Sequence, residues 1–122
     1  MLRILFDANM PLGLRAALSD YHIDTAFEMG WGELVNGVLM AAAEAAGFDA
    51  MITGDKNIAY QQNLDGRRLA LIVLSTNHWP TIRPQVTLIA AALSAATPGS
   101  YTEVPLKRPA LRRRVPNRPT VC

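Results

Sequence analysis

The chain has 122 residues, half of them hydrophobic, with 12 Lys and Arg against 10 Asp and Glu and a single cysteine. That length gives one domain with a core large enough to dispense with disulfides, and the lone Cys122 excludes a disulfide framework and a thiolate metal site. No apolar run reaches the roughly 18 residues of a membrane span, and Arg3 and Asp7 interrupt any leader-like stretch, so a cytoplasmic protein with no membrane partner is expected.

The net charge of +2 hides an asymmetry. Residues 107–122 hold Lys107, Arg108, Arg112, Arg113, Arg114 and Arg118, six of the twelve basic residues, and no acid. Residues 1–106 therefore carry six basic and ten acidic residues, a balance of −4. Pro109, Pro116 and Pro119 and the scarcity of large apolar groups predict a disordered tail at 107–122 behind a folded domain at 1–106. Such a tail suits RNA phosphates or an acidic partner; a merely solvated terminus fits equally well.

In chain order, residues 2–6 form an apolar run, and Pro11 opens a helix with Leu14 and Leu18 on one face. Ile23 to Phe27 reads as a second strand. A Met29-Gly30-Trp31-Gly32 loop leads into an Ala-rich helix from about Asn36 to Ala46, stopped by Gly47. Ala50 to Thr53 is a third strand, and 58–64 a short helix or turn. The unbroken run from Leu69 to Leu74 suits a central strand buried on both faces. A helix from near Pro84 puts Val86, Ile89 and Leu93 on one side, Pro98-Gly99 closes it, and 101–106 adds an edge strand. The alternation β-α-β-α-β-α-β-α-β predicts an α/β protein, a three-layer α/β/α sandwich with a mainly parallel central sheet.

Two aspartates stand where strands run out: Asp7 after Arg3-Ile4-Leu5-Phe6, and Asp55 after Ala50-Met51-Ile52-Thr53-Gly54. Ligands of open α/β sheets bind at the carboxyl ends of the strands, so adjacent strands would place both carboxylates in one crevice. Paired carboxylates repel unless a proton or a cation lies between them, and Mg²⁺ favours such oxygen sites. Asp7 and Asp55 are thus the candidate catalytic and metal-binding residues. Asn9 is a neutral ligand, a substrate contact or a helix cap. Thr53, Asp55 and Asn57 should project into the same crevice past Gly54, although Asp and Asn also build turns on their own backbone.

Around this pair the signals are weaker. Asn36 is an N-cap or a further ligand, and Glu44, two turns into the same helix, is expected to be exposed and idle. Lys56, Tyr60 and Gln61 suit contacts to a phosphodiester or a base edge, as they would suit a capped turn. Ser75-Thr76-Asn77 should point a hydroxyl at the same rim. Trp31 and Trp79 are either base-stacking platforms or partly buried core residues. His22 and His78 lack metal-ligand spacing, and there is no phosphate-cradling Gly loop.

At these residues the chain resembles the DUF5615 family of PIN-like proteins, a compact branch of the PIN nucleases. That family reads LLDENLP at its first strand, SDEEIL..A on a middle helix and T.DKDF after its third strand. This sequence has ILFDANMP at 4–11, VNGVLMAAAE at 35–44 and MITGDKNI at 51–58, and YQQNLDGRRLALIVLSTNHWPTIRP at 60–84 resembles one branch closely. The resemblance covers roughly residues 1–105. It implies a PIN-like sandwich and a Mg²⁺- or Mn²⁺-dependent ribonuclease, often the toxin half of a bacterial toxin–antitoxin pair, working by metal-assisted hydrolysis. RNA, a small antitoxin protein and a second copy of the chain are the implied partners, with the helix at 84–96 as a candidate dimer surface.

Asp7 and Asp55 match the family's acidic positions directly. Ala8, Asn36, Val38 and Asn57 stand where acids are common, which leaves two matched carboxylates. Asn36 and Asn57 would then serve as uncharged metal ligands, with a weaker pull on a cation. Three readings follow: a ribonuclease, a catalytically silent PIN-like binder of RNA or of a partner, and a receiver-like domain in which Asp7, Asp55, Thr76 and Lys107 hold the strand-end positions.

Overall fold

The computed structural model describes residues 2–34, 36–55 and 67–107, with Asn36 described for its backbone alone. Five short apolar segments pair into one sheet: β1 (Arg3–Phe6), β2 (His22–Thr25), β3 (Ala50–Thr53), β4 (Ala70–Leu74) and β5 (Tyr101–Val104). Every pairing is parallel, in the order β2-β1-β3-β4-β5. The helices are α1 (Leu12–Ala17), α2 (Asn36–Ala45), α3 (Trp79–Ile82) and α4 (Val86–Ala95), with a 3₁₀ turn over Arg83–Gln85 between the last two.

Side chains of a strand alternate between faces, and this sheet is buried on both. Ile4, Phe6, Ile52, Ile72, Leu74 and Val104 pack with Leu14 of α1 and Leu18 just past its end, Ile82 of α3, and Ile89 and Leu93 of α4. Leu5, Met51, Leu71 and Val73 face the other way, onto Leu39, Met40 and Ala43 of α2 and onto Phe48. The predicted three-layer α/β/α sandwich is therefore present, and double-sided burial explains why β3 and β4 read as continuous apolar runs.

Element boundaries differ in physically simple ways. The second strand stops at Thr25, because Thr25 and Glu28 exchange backbone-to-side-chain hydrogen bonds and turn the chain there. The helix expected from Pro84 is preceded by α3, which starts at Trp79 with Pro80 in its first turn. Gly47 ends α2 with φ +88°, as its sequence position suggested.

Crossover geometry brings the elements of interest together. The β1–β2 and β2–β3 connections step in opposite directions and lay α1 and α2 on opposite faces, so they share one hand. The β4–β5 connection steps the same way as β2–β3, yet it lays α3 and α4 on the α1 face. It therefore has the opposite hand, although parallel crossovers are almost uniformly right-handed. The consequence is a contact between α1 and α3: a Cβ added at Gly13 would lie 2.5 Å from the Trp79 ring. Among the described residues no helix is long and apolar enough to cross a membrane.

Candidate functional site

The chain runs from β1 to β2 on one side and then returns past β1 to β3 on the other. In the 2-1-3-4-5 order this reversal opens a crevice at the carboxyl ends of β1 and β3. Asp7 and Asp55 stand at those two ends, as the sequence led us to expect, and both are half-buried. Asp7 follows Phe6, the partner of Ile52, and so lies level with Thr53. Its backbone N–H continues the ladder onto the Ile52 carbonyl at 3.1 Å.

Thr53 joins the two aspartates. Its hydroxyl donates to Asp7 Oδ2 and accepts the Asp55 N–H at 3.1 Å. Thr53 is 1% exposed, so the bridge is shielded from water. Asp7 Oδ1 accepts the Asn9 N–H at 3.0 Å, a local turn of the kind aspartate favours. Asn9 therefore caps nothing: α1 begins after Pro11 without a side-chain cap. Asn9 is exposed, and its backbone carbonyl accepts Asn77 Nδ2 at 3.3 Å. That bond draws the exit of β4 onto the exit of β1. Asn77 also lies beside Gly54, where an added Cβ would sit 3.7 Å from the Asn77 Cβ. Three strand ends thus converge on one rim.

Of the other sequence-predicted residues, several are described only in part or not at all. The Ser75 hydroxyl is turned to the β5 side, donating to the Leu106 carbonyl at 3.1 Å. Thr76 Oγ1 accepts the His78 N–H. Asn36 is the first residue of α2. Lys56, Asn57, Tyr60 and Gln61 lie outside the described residues, as do the turn at 58–64 and the chain beyond Lys107. Trp79 packs against the core beside α1, and Trp31 meets Phe48 edge-on at 6.2 Å, so both tryptophans are partly buried.

Glu44 corrects the expectation that it is idle. It accepts the Arg68 and Leu69 N–H groups at 2.7 and 3.0 Å and the Arg67 guanidinium at 2.8 Å, tying α2 to the entry of β4. Burial alone would push its carboxyl up, but the two backbone donors and Arg67 outweigh burial and hold it below the usual carboxylate range.

Glu103 escaped the sequence reading. Thr53 pairs with Val73 and Val73 with Glu103, so Asp7, Thr53, Val73 and Glu103 lie in one row across four strands. Glu103 lines a cavity of about 430 Å³ with Val73, Ser75, Val104 and Pro105. At 4.7–4.9 Å per strand, the Glu103 backbone is about 14 Å from that of Asp7, too far for the two carboxylates to share an ion. Only the register could have revealed this row, because nothing in the local sequence marks Glu103.

The donors at the crevice are all oxygens or amides: two carboxylates, a threonine hydroxyl and asparagine side chains. That chemistry fits a hard divalent ion that keeps several waters. Among the described residues, no group of three or more His, Cys, Asp or Glu side chains is placed to hold a metal.

Fold and site together define an open, all-parallel α/β sheet with Asp7 and Asp55 at the point where its strand order reverses, the Asp7 carboxylate and the Asp55 backbone N–H joined through Thr53. No family model, no curated protein and no solved structure matches the chain.

Proposed function

We propose that the chain is a PIN-like, metal-dependent ribonuclease, the toxin half of a toxin–antitoxin pair, with Asp7 and Asp55 as its catalytic carboxylates. The observation that carries this reading is the Thr53 bridge, which fixes both aspartates at the one crevice where a doubly wound sheet binds ligands. Asp7 and Asp55 are the residues that would hold Mg²⁺ or Mn²⁺, and such an ion would supply activation of water and stabilisation of charge on the phosphoryl oxygens. The chain's own contribution is orientation. Thr53 and the Asn9 N–H hold one oxygen each of Asp7, and the Asn77 amide keeps the β1 and β4 exits together.

A second reading, a silent PIN-like binder of RNA or of a partner, is favoured by a specific feature. Both Asp7 oxygens already have donors, and only two carboxylates meet at the crevice, so cation attraction is modest. A receiver-like phosphoacceptor is the third reading. In that reading Asp55 would carry an acyl phosphate, with Thr76 and Lys107 beyond the ends of β4 and β5.

Calorimetric titration of Mn²⁺ into the wild type and into Asp7→Asn/Asp55→Asn, followed by RNA cleavage at saturating metal, tests the three. Binding and cleavage that are both lost in the double variant support the nuclease. RNA binding that survives chelation and the double substitution, without cleavage, supports the silent binder. A stable phosphoryl group on Asp55 after treatment with a small phosphodonor supports the receiver.

A further inference from the structure

Among the described residues four large apolar side chains are exposed, Leu12, Phe27, Val38 and Leu88. Three of them stand at the edge of the sheet that carries Asp7 and Asp55. Leu12 opens α1, Val38 lies in the first turn of α2, and Phe27 follows the end of β2 by two residues. Glu44, near the other end of α2, is tied to the entry of β4, so the start of α2 lies toward the strand exits. Phe27 is the most open of the four, at 80%. It is also the one exposed Phe, Tyr or Trp ring among the described residues. Trp31 and Trp79 are packed against the two cores, and Phe6 and Phe48 are buried.

Backbone hydrogen bonds fix the position of Phe27. The Ala26 N–H donates to the Phe6 carbonyl at 2.8 Å, which carries the β1–β2 ladder one step past Thr25. Ala26 is therefore level with Asp7 on the neighbouring strand, and the Phe27 backbone lies within about 9 Å of that of Asp7. The chain then turns at once. The Thr25, Phe27 and Ala26 carbonyls accept the Met29, Gly30 and Trp31 N–H groups at 3.1, 3.1 and 2.8 Å. Glu28 exchanges hydrogen bonds with Thr25 and pairs with Arg15 of α1 at 2.8 Å. The ring stands beside Gly32, where an added Cβ would lie 3.6 Å from Phe27 Cδ1. A closed turn thus holds an aromatic ring in water beside the crevice, and a ligand arriving there has little loop left to order.

Nucleobases stack on exposed aromatic rings whatever their identity, because every base has a π-face. Few cations reach this edge: Arg3, Arg67 and Arg68 stand at the amino end of the sheet, before or at the start of β1 and β4, and Arg15 is taken by Glu28. A strand bound here would draw less on phosphate contacts than is usual, and more on its bases. We propose that Phe27 is a stacking platform for one base of a single-stranded RNA whose neighbouring phosphate lies at Asp7 and Asp55. The choice of RNA rests on the function proposed above; the choice of residue rests on its exposure and its place one strand from Asp7. The platform would accept any base and leave the sequence unread.

The test is fluorescence anisotropy with labelled single-stranded RNA of mixed sequence, without divalent metal, beside a strand of equal length made of abasic residues. The proteins are the full-length wild type, Phe27→Ala and Phe27→Trp. Phe27→Ala should weaken binding to the normal strand about 5- to 150-fold. Its melting temperature should stay within about 2 °C of wild type, because the ring is outside the core. Phe27→Trp should bind at least as tightly as wild type. Removing the bases should cost the wild type more than it costs Phe27→Ala, by that same factor, since both changes delete one interaction. Phe27-dependent binding in a protein that never cleaves RNA with Mn²⁺ would leave the platform standing and remove the nuclease reading. Cleavage by a wild type that binds RNA no better than Phe27→Ala would overturn the platform and leave the nuclease. Equal abasic losses in the two proteins would also overturn it, as would a Phe27-dependent dimer in sedimentation with no binding to RNA.

Discussion

Thr53 Oγ1 donates across the β1–β3 seam to Asp7 Oδ2 while accepting the Asp55 N–H. One buried hydroxyl therefore serves both carboxylate-bearing strand ends. Thr53→Val keeps the shape and deletes both hydrogen bonds, leaving an acceptor short of a donor and a backbone N–H without its acceptor. The expected cost is about 1–3 kcal/mol in urea unfolding, and Mn²⁺ affinity should fall with it. Thr53→Ser should restore most of both. A Val variant as stable as wild type would mean that the bridge contributes nothing.

Gly99 has φ +76°, and a Cβ there would come within 2.4 Å of the Arg67 carbonyl oxygen. Gly30 has φ +78° with nothing within 4 Å. The pair separates backbone preference from steric exclusion. Gly30→Ala should cost only the left-handed penalty, about 1 kcal/mol. Gly99→Ala adds a clash against backbone that joins the entries of β4 and β5, and should exceed about 3 kcal/mol. At roughly 4 °C per kcal/mol for a domain of this size, the two melting temperatures should differ by about 8 °C.

The strands and the aspartate pair were legible because each depends on local sequence. Ile4 to Phe6, Ala50 to Thr53 and Leu69 to Leu74 announce burial on two faces, and an acid directly after such a run falls at a strand end. What was not legible depends on partners distant in the chain. Glu44 looked idle among alanines because its donors, Arg67 to Leu69, lie more than twenty residues on. Ser75 reads as a rim hydroxyl until Leu106 is placed beside it. Glu103 joins the row of Asp7 and Thr53 only through register, and the reversed hand of the β4–β5 crossover has no sequence signature at all.

Gly13 is in the first turn of α1, where propensity alone would favour Ala over Gly by up to about 1 kcal/mol. The structure reverses that sign. An added Cβ would meet three indole atoms of Trp79 at 2.5 to 2.8 Å, and Trp79 is itself packed against the core. Overpacking of this kind costs about 1–3 kcal/mol, so Gly13→Ala should destabilise the wild type. In a Trp79→Leu background, where the indole is gone, the same change should stabilise. The sign reversal in a double-mutant cycle is the readout, and two effects of one sign would sink the argument.

Glu44 gives a pH dependence whose direction can be worked out. Its carboxyl titrates below its ordinary value of 4.5 in the folded chain, because the Leu69 and Arg68 N–H groups and Arg67 outweigh the cost of burial. The unfolded chain therefore takes up the proton first as pH falls. The contribution of Glu44 is fully present above the unfolded value and disappears as pH drops through the lowered folded value. Glu44→Gln should lose about 1–3 kcal/mol at pH 7, since an amide cannot accept from all three donors as a carboxylate does. The gap between variant and wild type should then narrow as pH falls below 4.5. Urea midpoints taken from pH 7 down to pH 3 measure this directly. A gap that stays constant over that range would show that the charge on Glu44 does not hold α2 to the entry of β4.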